Sequence, residues 1–210
     1  MLANGKPVLT EEEKEEVERK LKEFDEEEMK AREKAVNSSI ERLVGIHYLK
    51  YFNEESVAEK EKIDKKISEM FSKGKGLILF GNVGVGKTMA LVYIFRKICE
   101  SYKNEPFYKA VPVSYYFMPE LFRKLHCGEV VSLKNFVMLD DWGREYAEPF
   151  ALSQFEALIE KIYASERILI ITTNLTREQF INREGWARIT DRVREMCGII
   201  EINGSSRRHR

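Results

Sequence analysis

The chain is poor in cysteine and has no apolar run long enough to cross a bilayer. Cys99, Cys127 and Cys197 are its only thiols, and they lie far apart with no CxxC pair. Neither a disulfide framework nor a cysteine zinc site is indicated. Reduced thiols of this kind suit a cytoplasmic protein. A spanning helix needs about 20 apolar residues in a row, and the N-terminus shows no apolar signal core, so a soluble protein with no membrane partner is expected. Charge of one sign is absent too: 35 basic residues meet 35 acidic ones, so the molecule as a whole has no basic field to draw in nucleic acid. There is no internal repeat and no Pro- or Ser-rich linker.

What is present suits one globular domain with an extension. The chain has 210 residues, 43% hydrophobic and 33% charged, enough for a packed core and for long solvated helices. The charge is unevenly spread. Residues 1–35 hold 12 acidic and 8 basic residues, so this arm carries −4 and the remainder +4. Residues 1–9 read as a loose terminus. Thr10-Glu-Glu-Glu13 fits a capping box, and a charged helix is predicted from there to about Asn37. Val17, Leu21, Phe24, Glu28, Ala31 and Ala35 step by four and three, a heptad spoiled by Glu28. Such a stripe belongs either to a solvated helix or to one that pairs with a partner or with itself. Ile40 to Phe71 is a second amphipathic, helical segment. The expected organisation is a helical extension over 1–39, a helical lead-in over 40–74 and a nucleotide-binding domain over 75–210.

From Lys75 short apolar runs alternate with helical stretches, which predicts βαβ units and a mainly parallel sheet flanked by helices, an α/β fold. Strands are predicted at Leu77–Phe80, Val111–Met118, Phe136–Leu139, Ile168–Thr172 and Ile199–Ile202. Helices are predicted at Lys87 to about Tyr102, from Pro119 at an N1 position, at Pro149–Tyr163 and at Trp186–Cys197. Ligands of such sheets sit beyond the carboxyl ends of the strands.

Two strand ends carry the strongest chemistry. Gly81-Asn82-Val83-Gly84-Val85-Gly86-Lys87-Thr88 satisfies GxxxxGK[ST], between an apolar strand and a helix. Glycines let successive amides point inward at phosphate oxygens, and the helix that follows adds its positive N-terminus. Lys87 is placed to reach the β and γ phosphates of ATP, and the Thr88 hydroxyl to bind Mg²⁺. Met89 follows directly and completes the expected nucleotide-binding set. Phe136-Val-Met-Leu-Asp140-Asp141 is a buried strand ending in acids. Asp140 is the expected Mg²⁺ holder, and Asp141 the residue that orients or deprotonates the attacking water. Asn174, at the end of Ile168-Leu-Ile-Ile-Thr-Thr, is placed to bridge the γ-phosphate and that water, or else to cap a loop. Arg188 and Arg192 lie on one helix face, with Arg194 nearby. They are either salt-bridged surface residues or a cation offered to a neighbouring copy's ATP. Gly204-Ser-Ser-Arg207-Arg208-His-Arg210 is a basic tail.

In this order the strings GKGLILFGNVGVGKT, SYYFMPELFRKL, FVMLDDWGRE, LIITTNLT, RITDRVRE and GSSRR resemble the DnaC/IstB family of AAA+ ATPases, helicase loaders and transposition helpers. The similarity runs from about Gly76 to Arg208, and weakly back to Gly45-Ile46. It implies an AAA+ P-loop fold without a C-terminal helical lid and an ATPase completed between subunits of an ATP-dependent oligomer. It also implies a replicative helicase and single-stranded DNA as partners; for a transposition helper the partner is duplex DNA. A third reading is an ATP-gated scaffold with little turnover. Arg192 resembles the family's trans-acting arginine finger and Arg208 its sensor 2 arginine, with Arg207 as the alternative. Asp141 stands where related ATPases usually carry Glu. Trp142, Met89 and Ile162-Tyr163 depart from the family pattern. Arg123, Lys124 and Lys134 are the expected phosphate contacts to DNA. Tyr115, Tyr116 and Phe117 either stack on bases or pack against the flanking helices.

Overall fold

The computed structural model describes residues 10–50, 52–102 and 111–204, together with the backbone of two short strands, β1 (Leu2–Ala3) and β2 (Lys6–Pro7). These two pair antiparallel at the stretch expected to be a loose terminus. The predicted capping box is there. Thr10 Oγ1 accepts from the Glu13 N–H, and Glu13 Oε2 accepts from the Thr10 N–H at 2.7 Å. It opens α1 (Glu11–Leu43), which overruns the expected end at Asn37 by six residues. The overrun has a cause. The last turns are no longer solvated: Ile40 is fully buried, Arg96 donates to Asn37 Oδ1 at 2.7 Å, and Arg32 Nη1 reaches the Tyr102 carbonyl at 3.1 Å. Tertiary contact therefore extends the helix past where the sequence pattern fades. α1 runs unbroken across the expected 39/40 boundary. Gly45 closes it, and the segment expected to continue as one helical pattern breaks into α2 (Ile46–Lys50), a 3₁₀ turn at Glu54–Ser56 and α3 (Lys60–Lys73).

The remaining elements follow the expected alternation, with one helix, at Arg177–Ile181, that the sequence pattern does not predict: β3 (Gly76–Phe80), α4 (Lys87–Ser101), β4 (Val113–Phe117), α5 (Met118–His126), β5 (Phe136–Trp142), α6 (Pro149–Ala164), β6 (Ile168–Thr173), α7 (Arg177–Ile181), α8 (Ala187–Met196) and β7 (Cys197–Glu201). Boundaries move by a residue or two, except for β5, which runs three residues beyond Leu139. β3 to β7 form one parallel sheet in the order β4-β5-β6-β3-β7. Successive side chains of a strand point to opposite faces, and the core divides accordingly. Leu77, Leu79, Met138 and Ile170 pack under α3, α4 and the end of α1. Ile78, Phe80, Val137, Leu139, Leu169 and Ile171 pack under α5, α6, α7 and α8. Among the described residues, no helix is long and apolar enough to cross a membrane.

Candidate active site

β3 lies inside the sheet between β6 and β7, and its carboxyl end feeds the loop at 81–86 into α4. Close packing fixes the first glycine of this loop: a Cβ on Gly81 would lie 2.6 Å from the Ile202 carbonyl oxygen. The loop's later glycines supply its curvature, and Gly86, at φ +102, is the N-cap of α4. Lys87 is buried, and its ammonium turns back into the loop. It donates to the Gly81 and Asn82 carbonyls, both at 2.8 Å, and to Asn174 Oδ1 at 2.5 Å.

Next to it, β5 ends in an irregularity. Leu139 pairs with Ile171 and Trp142 with Thr173, so Asp140 and Asp141 together stand opposite the single residue Thr172. This is a β-bulge, a device that re-aims side chains at strand ends. Asp141 takes φ +59, a left-handed conformation that Asp tolerates better than most residues. Thr172 serves both acids: its hydroxyl donates to Asp140 Oδ1 and accepts from the Asp141 N–H at 2.9 Å. Asp140 Oδ2 accepts from the Tyr115 hydroxyl at 2.9 Å and from Thr88 Oγ1 at 3.4 Å. Burial holds the Asp140 carboxyl above its usual range, and the bonds from Thr172 and Tyr115 oppose that rise.

These groups face one cleft of about 1300 Å³. One wall is the loop, with Lys87, Thr88 and Met89. Across it stand Asp140, Asp141, Arg144, Asn174 and the rings of Tyr115 and Phe117. The end of α1 and α2 close the side with Leu43, Val44, His47 and Tyr48. The Thr88 hydroxyl and the Asp140 carboxylate are hard oxygen donors turned toward each other. They suit Mg²⁺, which takes one or two protein carboxylates and fills its other positions with water and substrate phosphates. No cluster of three or more His, Cys, Asp or Glu residues able to hold a metal occurs among the described residues.

The structure thus brings together Lys87, Thr88, Asp140, Asp141 and Asn174. It does not bring Arg192 to them. Arg192 pairs with Glu160 at 3.0 Å and Glu195 at 3.4 Å, and its guanidinium stacks 4.6 Å from the Tyr163 ring centroid. Arg188 meets Glu156 at 3.4 Å. Arg207 and Arg208 lie outside the described residues. Arg123 and Lys124 approach Glu129, and Lys134 Nζ donates to the Val111 carbonyl. Four contributors carry no role in the sequence pattern. The Tyr115 ring predicts packing or stacking, but its hydroxyl is what matters. Thr172 reads as part of an apolar strand. Arg144 and Glu145 lie in FVMLDDWGRE, a string whose resemblance assigns neither of them a role. Of these only Thr172 gave a signal, a polar residue in a buried strand.

No protein-family model matches the chain, and no curated protein matches it. Solved structures do. A DnaI structure is 24% identical over 69% of this chain and 85% of that one, with a TM-score of 0.57. A DnaC helicase loader is 22% identical over 69% and 90%, with a TM-score of 0.52. A replication initiator DnaA bound to AMPPCP and single-stranded DNA is 17% identical over 70% and 46%, with a TM-score of 0.51. At these identities the likeness is one of fold, and it agrees with the parallel sheet, the loop and the strand-end acids described above: this chain has the α/β P-loop NTPase fold that the DnaI and DnaC structures share.

Proposed function

We propose that this chain is an ATPase of AAA+ type that cleaves ATP to ADP and phosphate and uses the cycle to load or remodel a replicative helicase on single-stranded DNA. One observation carries the reading. Two separate strand ends deliver a phosphate-binding loop and a carboxylate into one cleft, with Thr88 Oγ1 and Asp140 Oδ2 3.4 Å apart. The loop amides and Lys87 bind the phosphates, and the positive end of α4 faces them. Thr88 and Asp140 would hold Mg²⁺, which would supply charge neutralisation at the phosphoryl oxygens. Asp141 takes a proton from the attacking water, and Asn174, bonded to it through Nδ2 at 3.2 Å, fixes that water's place. Arg192 acts on the ATP of a neighbouring copy, exchanging Glu160 for the γ-phosphate, and Arg208 serves as the sensor 2 arginine. In this reading residues 75–210 are the ATPase domain, the lead-in over 40–74 closes one side of its cleft, and the helical arm over 1–39 meets the partner.

The test pairs nucleotide binding with phosphate release and particle size, measured with and without ATP and single-stranded DNA. Lys87→Ala is expected to lose Mg-nucleotide binding. Arg192→Ala is expected to bind ATP as the parent does, yet to lose ATP-dependent assembly and about 10³-fold in turnover, the scale of a trans-acting arginine. Equal hydrolysis by Arg192→Ala and the parent sinks the shared site. Assembly on duplex DNA with no affinity for a replicative helicase sinks the loading role.

A further inference from the structure

Arg144 stands beside the candidate catalytic acids because of a turn, and the turn is built to hold it there. The Arg144 N–H donates to the Asp141 carbonyl at 3.2 Å, closing a four-residue turn through Trp142 and Gly143. Gly143 has φ +104, and a Cβ there would lie 2.7 Å from Leu175 Cγ. Its N–H donates to Glu145 Oε2 at 2.7 Å, and the other oxygen of that buried carboxylate takes Arg183, whose guanidinium lies 3.9 Å from the Trp186 ring centroid. Trp142 itself is fully buried among Phe155, Phe180 and Trp186. Trp142 and Gly143 are thus anchored in protein, whereas Asp141 and Arg144 face the cleft. The Arg144 side chain is 61% exposed, with its guanidinium 6.0 Å from the Phe117 ring centroid and its Nη1 3.1 Å from Asp141 Oδ2.

The result is a continuous chain of polar contacts across the cleft: Lys87 to Asn174 at 2.5 Å, Asn174 to Asp141 at 3.2 Å, Asp141 to Arg144 at 3.1 Å. It has a cation at each end. We infer that Arg144 is a substrate-contacting cation supplied in cis, which reads the γ-phosphate of ATP and releases Asp141 as it does so. The inference rests on the cleft being a Mg-ATP site. A solvent-exposed pair such as Arg144–Asp141 is weak, whereas a guanidinium fork matches a phosphate bidentately and binds it more strongly. A triphosphate therefore draws Arg144 off the carboxylate, while a diphosphate, ending short of it, does not. Once released, Asp141 accepts a proton from water as the water oxygen bonds to the γ-phosphorus. The bond from that phosphorus to the bridging oxygen breaks, and its electron pair leaves with ADP.

The experiment compares Mg-ATPγS and Mg-ADP affinities by titration calorimetry, and ATP turnover, in the parent, Arg144→Ala, Arg144→Lys and Lys87→Ala. Arg144→Ala is expected to lose about tenfold in ATPγS affinity, the scale of one charge-assisted bond, with ADP affinity within about twofold of the parent. Its turnover falls by a further factor of about ten, the scale of one charge-assisted bond strengthened in the transition state, and Arg144→Lys restores part of both losses because charge returns without the fork. Equal losses for the two nucleotides, no change in either, or faster turnover in Arg144→Ala overturns the inference. A parent that binds neither nucleotide, like Lys87→Ala, instead brings down the ATP-site reading on which the inference stands.

Discussion

At the scale of single residues, Asp140 shows how a buried carboxylate is kept ready for a cation. It lies inside the sheet, where loss of water disfavours its charge. Three hydroxyls, from Thr172, Tyr115 and Thr88, turn toward its two oxygens. Tyr115 is the one whose removal is cleanest, since Phe keeps the ring. Tyr115→Phe is predicted to weaken Mg²⁺ binding in the presence of nucleotide by about tenfold or more, as the loss of an outer partner of a metal ligand does. Nucleotide affinity without metal should stay unchanged. The pH dependence has a definite sign. Mg²⁺ needs the ionised carboxylate, so its affinity falls as pH drops through the Asp140 pKa, which burial already holds above 3.8. Losing a donor to the anion raises that pKa again, so in Tyr115→Phe the decline begins at a higher pH. Isothermal titration with Mg²⁺ across pH decides the matter; a decline that begins at the same or a lower pH than in the parent refutes it.

Among the elements, β5 and the turn after it separate what a sequence pattern carries from what it does not. The apolar run Phe136–Leu139 announced a strand, and the acids after it announced a site. Polarity argued that the strand stopped there, yet it continues to Trp142 because the bulge lets Thr172 satisfy both acids at once. No local pattern encodes a partner 31 residues away. α1 teaches the same lesson in reverse: Thr10 and Glu13 fixed its start by a local bond, while its end depends on Asn37, Ile40 and Arg32 meeting α4 and its C-terminus. The turn itself gives a prediction. Gly143→Ala places a methyl against Leu175 in a backbone conformation hostile to side chains. It is expected to cost about 1–3 kcal/mol in urea unfolding and to slow ATP turnover by shifting Asp141 and Arg144. An unchanged unfolding midpoint means that the turn is not held as tightly as the Glu145–Arg183 anchor implies.

For the whole molecule, the βαβ alternation made a parallel sheet legible, because helix and strand periods differ and alternate cleanly after Lys75. Strand order was not legible: β3 joins β6 and β7, and those pairings join residues about a hundred apart. Such a sheet ties two half-cores into one unit, and two thiols report on them separately. Cys99 lies in the half-core under α4, and Cys197 in the half-core under α6 and α8, with Sγ 3.4 Å from the Leu169 carbonyl. Burial pushes the Cys99 thiol up to about 12 from an ordinary 9.0, and Cys197 upward as well. Only Cys127, exposed at the end of α5, is open to reagent. Native protein at pH 8 is therefore expected to take up one equivalent of alkylating reagent, at Cys127. Across a urea series Cys99 and Cys197 should become reactive together, at one midpoint, because neither half-core keeps its apolar faces covered without the sheet between them. Above pH 9 the unfolded chain gives up thiol protons that the folded chain keeps. Stability then falls by about 1.4 kcal/mol per pH unit for each such thiol, and the shared midpoint moves to lower urea. Site-resolved mass spectrometry reads all three cysteines in one experiment. If Cys197 opens well before Cys99, the half-core under α8 unfolds by itself, and the helix that carries Arg192 is then free to move without disturbing the phosphate loop.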